Sequence, residues 1–146
     1  MAPDTLFQIS GLLAVVGWLC LAFSPAAPRA ADVLAALLIP VLLSVAYTAL
    51  ILVNWSTGPG GFGSLSDVMA LFTNPHIALA GWIHYLAFDL LTGAWITRTA
   101  SREQIPHVLV LPCLALTFLF GPAGFFAFTA LRASHAARAR MTGAAA

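Results

Sequence analysis

Four stretches of the chain are almost unbroken runs of apolar residues. Each is close to the roughly 20 residues that a helix needs to cross about 30 Å of hydrocarbon. They cover about residues 5–24, 33–54, 76–97 and 105–131. Pro25, Pro28 and Arg29 end the first; Pro40 interrupts the second, where neighbouring helices can satisfy the freed carbonyl. Asn74-Pro75 precedes the third, and the polar run from Arg98 to Glu103 separates it from the fourth. No strand-like alternation is present, and only helices or closed barrels satisfy their backbone in lipid. The pattern therefore predicts an all-α integral membrane bundle of four transmembrane helices, a single domain over residues 1–146.

The loop at 55–75 divides in two. Its first part, from Ser56 to Gly63, is too rich in glycine for regular structure. Its second part, 66–73, sets Val68, Met69, Leu71 and Phe72 mostly along one side. Ser66 is placed there as a cap and Asp67 in the first turn, which predicts a short interfacial helix. Residues 132–146 read as a small, basic, frayed tail.

Composition narrows the class. The chain is 61% hydrophobic and 8% charged, too few charges to clothe a soluble domain, which carries roughly 25%. Its six basic residues are all arginine and form no basic face, so nucleic acid is excluded as a partner. Cys20 and Cys113 sit inside apolar runs and give neither a disulfide framework nor a metal spacing. The first span carries Asp4 and no Lys or Arg ahead of its apolar run, so it is read as a retained helix and not a signal peptide. Four spans would place both termini and the 55–75 loop on one side with Arg132, Arg138 and Arg140, against Arg29, Arg98 and Arg102 on the other. Three against three leaves orientation open under the positive-inside rule.

Polar residues inside a span cost roughly 2.5–3.5 kcal/mol each when ionisable, so they default to functional candidates. The third span holds His76, His84, Tyr85 and Asp89. Trp82, Tyr85 and Asp89 share one helical face, continued by Thr92 and Gly93; His84 is rotated from Asp89 by about 140°. Asp89 lies about two turns from the helix end, too deep to reach water easily. It must pair, with Arg98 for example, or meet water in a cavity, or hold its proton. His76 and His84 are about 12 Å apart along the axis, which excludes one metal ion between them. Depth sets Tyr47 of the second span level with His84, and Asn54 beside the 67–76 segment at one membrane face. Gly121-Pro122-Ala123-Gly124 breaks the fourth helix amid a cluster of phenylalanines that includes Phe118. Four spans without an inverted repeat disfavour a transporter.

Asn74-Pro75-His76, the run from Gly81 to Leu90 (GWIHYLAFDL), Ile105-Pro106-His107 and the run from Leu116 to Gly124 (LTFLFGPAG) together resemble the ABA-deficient-four-like membrane family. Its plant member is required for making neoxanthin and is regarded as a neoxanthin synthase. The resemblance implies a carotenoid-related membrane protein that isomerises an epoxy-carotenoid. Asp89 would be the acid, with His84, Tyr85 or water the base. Trp82, Tyr47, Asn54, His76, His107, Phe118 and Gly121 would line the substrate. Such an isomerisation requires no cofactor and no metal. The alternative is a non-catalytic carotenoid-binding protein or a small accessory subunit of a membrane complex. Expected partners are the lipid bilayer, a carotenoid or other elongated apolar ligand, and a second copy of the chain. The compact chain without a visible transit peptide fits a bacterial relative in an inner membrane.

Overall fold

The computed structural model describes residues 2–55 and 58–143; the side chains at 139, 142 and 143 lie outside the description, as do Ser56 and Thr57 of the glycine-rich loop and residues 144–146 of the tail. Among the described residues the chain is helical: α1 (Pro3–Ala22), α2 (Pro28–Asn54), α3 (Leu65–Leu71), α4 (Pro75–Arg102), α5 (His107–Phe120) and α6 (Pro122–Gly143). Three of them, α1, α2 and α4, are long and apolar enough to cross a membrane. Their outward faces are mostly apolar, with Leu12, Leu52 and Phe88 among the exposed side chains. A surface of that kind is stable only against lipid.

Local chemistry sets the helix ends. Asn74 caps α4, its Oδ1 accepting from the His76 N–H at 2.9 Å, and Pro75 at the first helical position loses no bond there. The interfacial helix forms as α3, but its cap is Ser64 and not Ser66: the Asp67 N–H donates to Ser64 Oγ at 3.1 Å. Within α2 the turns widen to π geometry over Ala31–Leu38. Pro40 has no N–H to donate and its ring crowds the carbonyl four residues earlier, so the turns ahead of it loosen.

α4 is the centre of the bundle, packed against α1, α2 and α5. Ile83, Leu90 and Ile96 are fully buried on it, separated by the small residues Ala80, Ala87 and Ala94. Lipid supplies no hydrophobic drive between helices, so close approach across small residues is what holds such a bundle together.

The expected fourth span does not form as one helix. α5 has 14 residues, about 21 Å, too short to cross. At Gly121 the chain turns back, and α6 returns along α5. A Cβ on Gly124 would strike the Thr117 backbone at 2.5 Å or less, so glycine is required where the two arms meet. Further down α6, Phe125 and Phe128 pack on Trp95 of α4, at 5.4 and 5.6 Å between ring centroids. Arg132 Nε then donates to Glu103 at 2.7 Å, just beyond the end of α4. The bundle is thus three candidate spans followed by a helical hairpin. Residues 132–143 of the expected tail continue α6 as helix; 144–146 lie outside the described residues.

The hairpin settles the charge count. With α6 returned to the Glu103 side, all six arginines lie at one face, where Arg98 pairs with Asp32 at 2.7 Å and Arg132 with Glu103. Asp4 and Asp67 lie at the other. The count under the positive-inside rule is then six against none and no longer a tie.

Two outcomes follow for solution tests. In a variant lacking Cys20 and Cys113, Gly63→Cys and Ala137→Cys will label from opposite sides of sealed vesicles; labelling from the same side would restore four spans. Arg132 holds the Glu103 carboxyl below the usual carboxylate range. A depressed value means that the pair's contribution is present at neutral pH and lost as pH falls through that lowered value. Glu103→Gln therefore removes part of the acid sensitivity of thermal unfolding in detergent.

Candidate functional site

The turn at Gly121 meets α4 at Asp89. Asp89 stands fourteen residues from Pro75 and thirteen from Arg102, about 20 Å from either end of α4. A Cβ on Gly121 would lie 3.0 Å from Asp89 Cγ and closer still to Oδ1. The carboxyl is therefore in van der Waals contact with the hairpin tip, a contact that only glycine permits.

Backbone arithmetic explains what else gathers there. In a continuous helix the Phe118 carbonyl would accept from residue 122, but Pro122 has no N–H. A carbonyl left unpaired in lipid costs several kcal/mol. Tyr85 Oη takes the missing donor's place, donating to the Phe118 oxygen at 3.2 Å. Tyr85 and Asp89 stand one turn apart on the same face of α4. Asp89 Oδ2 is buried without a partner among the described residues. Arg98, a partner expected from the sequence, is engaged instead with Asp32.

Aromatic rings continue from this point in two directions. Trp18 of α1 meets Phe118 edge-on at 5.6 Å. Trp82 lies 5.4 Å from Tyr85, and Phe7 of α1 lies 5.4 Å from Trp82. The structure thus brings together Asp89, Tyr85, Trp82, Phe118 and Gly121.

The remaining candidates lie elsewhere. His84 faces α2, stacked on Phe88 at 4.5 Å and 5.6 Å from the Tyr47 ring. Depth had matched His84 with Tyr47, but neither reaches Asp89. Asn54 ends α2 and donates to the Leu50 carbonyl at 2.8 Å, and His76 sits in the first turn of α4 at the same membrane face. His107 is at the opposite face, where its Nε2 is bonded to the Ala22 carbonyl at 2.8 Å. It borders a polar cavity of about 640 Å³ shared with Asp32, Arg98 and Arg102. Among the described residues no three His, Cys, Asp or Glu side chains gather as a metal site requires.

Sequence reasoning passed over Phe7 and Trp18, since nothing in the pattern of α1 shows which of its rings face α4 and the hairpin. It also took Phe118 for a ring contact, where its carbonyl carries the polar bond. Pro122 four residues after Phe118, and directly after a glycine, is the signal that marks both that carbonyl and the turn.

Residues 5–128 match the family model described as ABA DEFICIENT 4-like. No curated protein and no solved structure matches the chain.

Gly121→Ala tests the tip contact. It is expected to cost about 1–3 kcal/mol through overpacking, read as a lower Tm in detergent. Gly11→Ala is the control, because a Cβ there meets nothing within 4 Å. Equal effects of the two would remove the close contact between Asp89 and the hairpin.

Proposed function

Because the chain belongs to the ABA DEFICIENT 4-like family, we propose that it is a membrane isomerase that opens the epoxide of an epoxy-carotenoid end ring and leaves an allene, with Asp89 as the acid. One observation carries this reading: a carboxyl is held deep in the apolar part of the bundle, against a backbone turn, with one oxygen unpaired. Structural carboxylates in membranes are paired or hydrated. Tyr85 has a single proton and donates it to Phe118. In this reading Asp89 carries the proton that the epoxide oxygen receives.

The chemistry balances without a co-reactant. Asp89 gives its proton to the epoxide oxygen as the bond from that oxygen to the polyene-bearing ring carbon breaks. The adjacent chain carbon loses a proton, and the electron pair of its C–H bond becomes the second double bond of the allene. The carboxylate just formed takes up that proton, directly or through Tyr85. One proton enters and one leaves, so the product is an isomer. His84, on the far side of α4, takes no step in this scheme.

The alternative is a carotenoid-binding or accessory subunit. The exposed Phe120 and Phe126 around the hairpin favour it, as they offer a surface to a larger partner.

Expression in cells accumulating violaxanthin, with chromatography of the extracted pigments, separates the two. Wild type will yield a new isomer. Asp89→Asn will lower its formation by about 100-fold or more, and Tyr85→Phe by about tenfold. Bound but unaltered pigment in all three would make the chain a binding protein.

A further inference from the structure

Different elements flank α4 on the two sides of Asp89. On the arginine side the hairpin lies along it, with Phe125 and Phe128 on Trp95 and Phe128 wholly buried. On the other side there is no hairpin, because α5 and α6 meet at Gly121 and go no further. There Tyr85, Trp82 and Phe7 of α1 follow one another at 5.4 Å intervals. Trp82 is 39% exposed and Phe7 47%, so both rings present area to whatever lies alongside.

This aromatic track ends in a cavity of about 330 Å³ between the first turns of α1 and α4, bordered by Pro3, Asp4, Phe7, Pro75, Ala78 and Trp82. Its walls are apolar apart from the Asp4 carboxylate and the edge of the Trp82 indole. Asp4 stands at the level of Pro75, about 21 Å along α4 from Asp89. A conjugated chain spans that order of distance between its two end rings.

We propose that this cavity is the subsite for the far, hydroxylated end ring of the carotenoid whose reacting ring meets Asp89. The polyene lies along Phe7, Trp82 and Tyr85, within the leaflet away from the arginines, and the ring hydroxyl donates to Asp4. The assignment rests on the carotenoid reading above and adds direction, length and end-group selectivity to it. Flat rings in series suit a rigid conjugated chain, and an acceptor at the headgroup level suits a ligand with a polar end. Entry is lateral, from the lipid.

The test uses the full chain purified from cells that contain both zeaxanthin, which carries a hydroxyl on each ring, and β-carotene, which carries none. Pigment retained per protein is measured, alongside product formation in cells accumulating violaxanthin. Wild type is expected to retain zeaxanthin in preference to β-carotene. Asp4→Ala will lower that preference about tenfold or more, the order of one hydrogen bond to a charged acceptor, while leaving the amount of folded protein unchanged. Ala78→Trp, which fills the cavity, will lower retention of both pigments. If wild type forms product but neither variant alters preference or retention, the subsite is overturned and the isomerase reading stands. If wild type neither retains nor converts any carotenoid, both fall together.

Discussion

A carbonyl without a donor organises this protein. Pro122 cannot supply the N–H that the Phe118 oxygen would receive in a continuous helix, and lipid supplies no water to replace it. Tyr85 makes the bond instead. That bond ties the tip of the hairpin to the middle of α4, one turn from Asp89. Glycine at 121 and 124 completes the arrangement, since a side chain at either position would push α4 or the returning arm away. Fold and candidate chemistry therefore share one set of atoms: the contacts that end α5 are the contacts that surround Asp89.

The hairpin also governs how the chain sits in the membrane. A fourth crossing would divide the arginines evenly and leave orientation without an electrostatic preference. Returning α6 to the Glu103 end collects them at one face, where two are neutralised by Asp32 and Glu103. The opposite face carries the acidic Asp4 and Asp67. The two halves of α4 also differ in what flanks them: hairpin rings Phe125 and Phe128 meet Trp95 on the arginine side, and Phe7 of α1 meets Trp82 on the other.

α4 presents two polar faces at different places around its axis. One holds Trp82, Tyr85 and Asp89 toward α1 and the hairpin. The other holds His84, stacked between Phe88 and Tyr47 toward α2 and lipid. A central helix is the geometry that lets one segment serve both, and it keeps the histidine out of the carboxyl's reach.

Periodicity and composition by themselves determined the membrane class, the apolar helices, the interfacial helix and the shared face of Trp82, Tyr85 and Asp89, because each depends on residues close in sequence. The depth match of Tyr47 with His84 was legible too, since helical rise converts residue number into distance. Hydropathy could not separate one long helix from two short ones folded back, as both bury the same apolar residues in lipid. Only the tertiary structure decided that, through contacts far apart in sequence: Tyr85 with Phe118, Trp95 with Phe128, Glu103 with Arg132. From those contacts came the turn against Asp89 and the gathering of the arginines.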